Sequence, residues 1–260
     1  MPIHSVRRAR LEEAEPVVDI IREAFPKDVV ERTVYGCSGI TAYVEALIHA
    51  SDRVTPAFFV AGTATEVLAV AEVAASDEGV FLSYIGTRSH ARSKGLGSRL
   101  LLAAAESCPE MVDSRMTLDV FTENVRAVDW YQRVGFEVIG ERGWWELELT
   151  RSNHISATVS GLPQAEVCHR AFGFSEIILH MIGNSYRIGR LGDRWFRLTS
   201  LAALENPDVL AALRSLDPDR KVLALGDMVD LAASRLGTPT MRALRMQAPV
   251  RRLQENLAGH

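Results

Sequence analysis

The spacing of apolar residues along the first half of the chain predicts an alternation of helices and strands. Leu11–Phe25 carries apolar side chains three and four positions apart, as an amphipathic helix does, and Pro26 follows its end. Thr41–Ala50 has a similar helical pattern. Short apolar runs bounded by turn residues predict strands at Val6–Ala9, Pro56–Gly62, Glu66–Ala75 and Val80–Thr87.

The pattern continues to residue 150 and indicates the fold class. Ser98–Ser107 and Val125–Val134 predict two more helices, and Met116–Phe121 alternates like a strand. Phe136–Ile139 and Trp144–Leu149 predict a final pair of strands. This order of elements predicts an α+β fold, in which helices flank a mixed, mostly antiparallel sheet.

The residues beyond 150 predict a second, smaller α+β region. Polar residues at 151–153 and a turn-like Gly-Leu-Pro sequence at 161–163 indicate a boundary, so we predict domains at residues 1–150 and 151–260. The second of these domains is the shorter one. Its predicted elements are strands at 176–181, 186–191 and 195–199, followed by helices at 201–216 and 222–236.

The composition places the chain among ordinary globular proteins. It has 260 residues, of which 47% are hydrophobic and 24% are charged, and these values exclude wholesale disorder. No apolar stretch is long enough to cross a membrane, and the N-terminus lacks the apolar core of a signal peptide. We therefore expect a cytoplasmic protein with no membrane partner. The excess of Arg and Ala is typical of bacterial proteins.

The three cysteines and the charge distribution exclude further classes. Cys37, Cys108 and Cys168 are widely separated and odd in number, so we expect reduced, buried thiols and no metal site. The formal net charge is −4, and it divides into −8 for residues 1–150 and +4 for residues 151–260. A nucleic-acid-binding protein normally has a strong excess of basic residues, so the net negative charge and the modest +4 of the second region argue against a nucleic-acid partner. The negative first region favours a cationic acceptor.

One loop has the composition of an anion-binding site. The sequence Arg92-Ser93-Lys94-Gly95-Leu96-Gly97 stands between a predicted strand and a predicted helix that continues from Ser98. Glycines let the backbone approach a ligand closely, and the free N–H groups at a helix start attract negative charge. Two basic side chains add to this attraction. The loop therefore predicts a pyrophosphate site, although an ordinary helix start has the same short pattern.

A second motif lies downstream, and the two motifs together resemble a known family. Asn124, Ala127, Tyr131 and the pair Gly135-Phe136 have the spacing Asn-x-x-Ala-x-x-x-Tyr-x-x-x-Gly-Phe. This motif, the Arg-x-x-Gly-x-Gly loop and the element order of residues 3–150 resemble the GNAT superfamily of acetyl-CoA-dependent N-acetyltransferases. Residues 151–260 are not covered by the resemblance. For them we consider the roles of a lid, a dimerisation surface or a part that shapes the acceptor site.

The resemblance implies a role for each matching position. The strand before the loop would diverge from its neighbour, and backbone groups of Ile85 and Thr87 would bind the pantetheine arm and the acetyl carbonyl of acetyl-CoA. Asn124 would hydrogen-bond the pantetheine or fix the neighbouring backbone. Tyr131 would lie near the CoA sulfur and protonate the thiolate. The pyrophosphate would be bound by the backbone amides of Arg92, Ser93, Lys94, Gly95, Leu96, Gly97 and Ser98.

The residues alone leave several candidates for the general base. Many members of the family place a carboxylate on the strand that binds the pantetheine, but residues 81–85 contain neither Asp nor Glu. Glu72 on the preceding strand is the first candidate for the catalytic base, and Asp119 on the following strand is the second. His90, Tyr84 or a chain of water molecules are alternatives.

The resemblance implies an acyltransferase that moves the acetyl group of acetyl-CoA to a primary amine of a small molecule by direct attack. A protein or peptide N-acetyltransferase has the same cofactor residues and differs in the acceptor cleft. A CoA-binding regulatory module without turnover is a third interpretation, because the strand carboxylate is missing. A homodimer is compatible with the resemblance, since many members of the family are dimers.

Overall fold

The computed structural model describes residues 5–50, 56–76, 79–107, 114–151, 156–206, 208–230, 233 and 235–258. These residues form two compact units, each made of separate parts of the sequence. The first unit contains residues 1–29, 41–139 and 244–260, and the second contains residues 30–40 and 140–243. No helix among the described residues is long and apolar enough to cross a membrane.

The first half of the chain alternates strands and helices as the apolar pattern predicts. Its helices are α1 (Ala14–Ala24), α2 (Lys27–Val30), α3 (Ile40–His49), α4 (Leu96–Glu106) and α5 (Val125–Val134). Its strands are β1 (Ser5–Arg8), β2 (Ala57–Gly62), β3 (Val67–Ser76), β4 (Gly79–Thr87), β5 (Arg115–Phe121) and β6 (Glu137–Leu147).

The second half has a similar succession of elements. Its helices are α6 (Leu162–Phe172), α7 (Val209–Leu216) and α8 (Val250–Leu257). Its strands are β7 (Ala157–Ser160), β8 (Phe174–Met181), β9 (Asn184–Leu191), β10 (Trp195–Leu198), β11 (Lys221–Asp227) and β12 (Met241–Pro249).

Each unit contains a sheet with the same plan. In the first unit, β1, β2, β3 and β4 pair in antiparallel succession, and β4 then pairs with β5 in parallel. In the second unit, β7, β8, β9 and β10 pair in antiparallel succession, and β10 pairs with β11 in parallel. The fold is therefore α+β with mostly antiparallel pairing, as predicted.

The end of the chain belongs to the first unit. Strand β12 lies beside β5, and the Arg245 guanidinium donates two hydrogen bonds to the Asp119 carboxylate at 2.8 and 2.7 Å. On α8, Leu253 is completely buried in the core cluster that also contains α4 residues. Residues 140–147 of β6 belong to the second unit, where residues 142–147 pair with β11. The assignment of residues 1–150 and 151–260 to separate domains stays a prediction.

Two predicted elements beyond the first 135 residues are wrong. The expected strand pair near the end of the first half is one strand, β6, whose residues 142–147 pair continuously with β11. Gly143 allows this continuity, since a Cβ there would lie 2.2 Å from the Trp145 ring. The helix expected at 222–236 begins as strand β11, because its apolar residues are buried between β10 and β6.

The described cysteines match the expectation in part. Cys37 and Cys168 are both free thiols, but Cys37 is buried whereas Cys168 is exposed. The expectation of burial is wrong for Cys168 because it lies on an outer position of α6. Cys108 lies outside the described residues.

Candidate active site

The predicted pyrophosphate loop has a backbone that is shaped to surround an anion. Ser93 and Gly95 have positive φ angles of 64° and 73°, and α4 begins at the next residue, Leu96. Positive φ turns successive N–H groups toward one side, where the helix start adds its own N–H groups. The side chains of Arg92 and Lys94 are exposed beside this turn. The structure thus brings residues 92–98 together in one cationic turn.

Two residues near this loop are missed by the sequence motifs. Arg126 on α5 donates a hydrogen bond from Nη2 to Oγ of Ser93 at 3.4 Å, which places a third cation beside the loop. Trp130 on the same helix lies against the start of α4, because a Cβ on Gly97 would be 3.6 Å from its ring. Their positions depend on how α5 packs against α4, and this packing has no signal in the local sequence.

The entrance to the loop is held by a carboxylate of α1. Glu23 accepts a hydrogen bond from the backbone N–H of Ser89 at 2.7 Å. It also forms an ion pair with Arg88 at 3.4 Å. These donors, the Ser89 amide first, lower the pKa of the Glu23 carboxyl. The contact fixes the point at which the chain leaves β4.

Strands β4 and β5 separate where the pantetheine is predicted to enter. Parallel pairing starts at Gly79 and ends at Leu82, opposite Leu118, although β4 continues to Thr87. The register with β3 shifts at the same point, so that Ser83 is an extra residue in β4. A β-bulge of this kind bends a strand and ends its pairing. The edge of β4 that contains Ile85 and Thr87 is therefore not paired with β5.

Asn124 and Tyr131 are placed by helix α5. The Asn124 side-chain oxygen accepts a hydrogen bond from the N–H of Ala127 at 3.2 Å and so fixes the start of the helix. The end of the helix is fixed by Gly135, whose φ is 111°, and by Asn256 of α8, whose amide donates to the carbonyl oxygen of Val134 at 3.0 Å. Tyr131 lies between these two caps.

The Tyr131 side chain faces the core next to the diverging strands. It is 6% exposed and belongs to the apolar cluster that includes Leu82, Leu118 and Leu96, against which Ile85 packs. Its ring lies 4.8 Å from that of Trp130. Burial raises the pKa of the Tyr131 hydroxyl well above its usual value, so this group keeps its proton at neutral pH.

Glu72 lies on the opposite face of the sheet from Tyr131. Its neighbours Ala71 and Val73 belong to the Tyr131 cluster, and successive strand residues point to opposite faces. Glu72 is 9% exposed and pairs across the strands with Tyr84. Carboxylates are seldom this deeply buried in proteins.

The surroundings of Glu72 are aromatic. The ring of Phe25, which follows α1, makes an edge contact with Tyr84 at 5.6 Å. On α3, burial and the nearby charge of Glu72 raise the pKa of the Tyr43 hydroxyl. Helix α1 packs closely over β4 here, since a Cβ on Gly86 would lie 2.9 Å from Cβ of Ala24.

The other candidate bases are placed less favourably. Asp119 is held in the two-bond ion pair with Arg245, so both of its carboxylate oxygens are already occupied by a partner. The ring of His90 is 58% exposed and lies 3.5 Å from the Glu66 carboxylate. Among the described residues, no group of three or more His, Cys, Asp or Glu side chains could hold a metal ion.

Comparisons with known proteins agree with this geometry. Residues 17–136 match the sequence model of the acetyltransferase (GNAT) family. The chain carries a GNAT acetyltransferase domain. It is an acyltransferase, and the match includes α4, both motifs and Glu72. No curated protein is significantly similar in sequence.

Some solved structures are similar in fold to almost the whole chain, beyond the matched domain. A GCN5-related N-acetyltransferase from Sphaerobacter thermophilus is 13% identical, with a TM-score of 0.61 over 95% of this chain and 96% of the other. A tandem GNAT protein from the clavulanic acid biosynthesis pathway is 11% identical, with a TM-score of 0.66 over 95% and 99% of the two chains. At these identities the likeness concerns the fold alone.

Proposed function

We propose that the protein is an N-acetyltransferase that moves the acetyl group of acetyl-CoA to a primary amine of a small molecule. The observation that supports this most directly is the separation of β4 from β5 after Leu82, with the cationic turn at residues 92–98 following β4. A thioester arm in this gap would have its phosphates at the turn and its acetyl group beside Ile85. No other cosubstrate or metal is needed for this reaction.

The positions of Glu72 and Tyr131 on opposite faces of the sheet suit the two proton transfers of the reaction. The acceptor nitrogen attacks the thioester carbonyl carbon, forming the carbon–nitrogen bond as the carbon–sulfur bond breaks. A backbone N–H near Ile85 or Thr87 would donate to the carbonyl oxygen as negative charge develops there. Glu72 accepts the proton that the amine loses, and Tyr131 on the other face donates its proton to the leaving thiolate.

We expect the cationic turn to dominate acetyl-CoA affinity. The double variant Arg92→Ala/Gly97→Trp removes one phosphate-binding charge and places a large ring against Trp130, where a Cβ alone already makes a 3.6 Å contact. Charge-assisted hydrogen bonds contribute about 1.5–3 kcal/mol each, so we expect binding to weaken by at least about a hundredfold. Isothermal titration with acetyl-CoA measures this change.

The matched control for this experiment is Arg133→Ala, which removes the same charge from the exposed far end of α5. We expect the control to bind acetyl-CoA as the unchanged protein does. Micromolar binding that is equal in the double variant and the control would contradict the assignment of the turn.

Glu72→Gln tests the base. The amide keeps the shape of the side chain but accepts protons poorly, so we expect kcat to fall by about 10²-fold, at the lower end of general-base effects, because water can replace part of the role. The affinity for acetyl-CoA should not change. Steady-state thiol release with a panel of primary amines measures both parameters, and Glu66→Gln, on the exposed end of the preceding turn, is the control. An unchanged kcat would remove Glu72 as the base.

A further inference from the structure

The shared sheet plan allows the two units to be compared position by position. In the first unit, the first four residues of β4 pair with β5, and the gap follows Leu82. In the second unit, all four residues of β10 pair with β11, and the pairing ends at Leu198. The residues after Leu198 therefore correspond to those that border the gap in the first unit.

In the second unit the corresponding gap is filled by the chain itself. After β10 the backbone does not continue as a strand but forms a 3-10 helix at Leu201–Glu205. Leu201 is 1% exposed and lies so close to β11 that a Cβ on Gly226 would be 2.3 Å from its side chain. A pantetheine arm has no room where this leucine packs.

The connection to the next helix also has the wrong chemistry for a phosphate. Residues 199–208 contain no Gly, Lys or Arg, whereas residues 88–97 contain two glycines and three of these cations. Asp208 stands at the start of α7, and Glu205 precedes it. Carboxylates at a helix start satisfy its positive end and repel a second anion.

The second unit includes residues 30–40, and these residues are fixed by contacts within the unit. Arg32 donates from Nε to the Glu146 carboxylate at 2.8 Å, and its guanidinium lies 5.8 Å from the centre of the Trp195 ring. Tyr35 is 1% exposed. Gly39 lies directly against the backbone of α6, since a Cβ there would be 2.2 Å from the carbonyl oxygen of Ala171.

This segment connects the elements that carry the aromatic surroundings of Glu72. Phe25 precedes α2. Residues 30–40 lead from the last residue of α2 to the first residue of α3, and α3 carries Tyr43. The path of residues 30–40 therefore limits where Tyr43 can lie relative to Glu72. The charge of Glu72 already affects the Tyr43 hydroxyl, so a small shift of α3 changes the acceptor side of the site.

We infer that the second unit is a diverged copy of the first that no longer binds CoA and instead positions the acceptor-side segment at residues 30–40. The inference rests on the proposed function, because it assigns Arg32 and Glu146 to acceptor affinity rather than to chemistry. Both residues belong to the second unit, so we assign them a positioning role and not a catalytic one.

The Arg32→Ala variant tests the positioning role. We expect KM for the best amine to rise about tenfold, while kcat changes by less than about threefold and acetyl-CoA affinity stays the same. Glu146→Gln should give the same pattern. The matched control is Arg187→Ala, which breaks an exposed ion pair with Glu176 in the same unit and should leave KM unchanged. A KM in Arg32→Ala that equals that of the control would overturn the inference.

The stoichiometry of acetyl-CoA tests the closed gap. We expect one equivalent per chain, all of it lost in Arg92→Ala/Gly97→Trp. A second equivalent, with only that equivalent retained by the double variant, would overturn the inference while leaving the proposed function in place. No binding by the unchanged protein would contradict the proposed function, and with it the inference.

Discussion

Replacing Tyr131 by Phe is expected to lower kcat by about 10²–10⁴-fold, the usual range for loss of a general acid. The substitution removes one hydroxyl and keeps the ring, whose contacts with Trp130 and Phe136 should persist. Since burial raises the pKa of the hydroxyl, Tyr131 is protonated throughout the neutral range and contributes no loss of rate as pH rises from 6 to 9. Acetyl-CoA affinity should change little.

The experiment combines steady-state thiol release, acetyl-CoA titration and a pH–rate profile for the unchanged protein and for Tyr131→Phe. Tyr186→Phe is the control, because it removes a hydroxyl from a partly buried tyrosine in the second unit. Turnover by Tyr131→Phe at the rate of the control would exclude Tyr131 as the obligate acid. The fold assignment would stand, and Tyr131 would then be a packing residue of the core.

Loss of the buried leucine on α8 should destabilise the first unit more than any other single change described above. Leu253 is completely buried, and truncating a buried leucine to alanine costs about 2–5 kcal/mol. The effect should reach the site, since α8 also caps α5 through Asn256 and Val134. We therefore expect Leu253→Ala to lower both the free energy of unfolding and acetyl-CoA affinity.

Chemical denaturation monitored by circular dichroism measures the first effect, and titration at low temperature measures the second. Arg251→Ala is the matched control, because it lies on the exposed face of the same helix and should change stability by less than about 0.5 kcal/mol. Equal stability of Leu253→Ala and Arg251→Ala would mean that the end of the chain does not support the first unit.

The local features of the site could be predicted from the sequence because each depends on neighbours along the chain. The turn at residues 92–98 and the caps of α5 follow from glycines, an Asn and their spacing. The bulge at Ser83 and the proximity of Glu72 to Tyr84 could not, because they depend on the register between β3 and β4. Arg126 reaches Ser93 through packing of two helices, for which no motif exists.

The second half was harder to predict for a different physical reason. An apolar run such as residues 222–225 has the same composition in a buried strand as in a helix, and only its two strand neighbours decide between them. Strand β12 and helix α8 are stabilised by partners more than a hundred residues away, such as Asp119 for Arg245 and Glu137 for Arg252. The shared sheet plan of the two units likewise becomes visible only from pairing.

The exchange of chain segments between the units has a consequence for protein synthesis. A ribosome delivers β5 and the residues of the proposed acetyl-CoA site more than a hundred residues before it delivers β12 and α8. Until then the edge of β5 lacks its neighbour, and an uncovered strand edge invites wrong pairing. We expect the nascent first half to stay partly folded until residues 241–257 have emerged, because contacts this distant in sequence are slow to form. Dependence on chaperones during translation is the property in which this chain should differ from an acetyltransferase whose strands all come from one half.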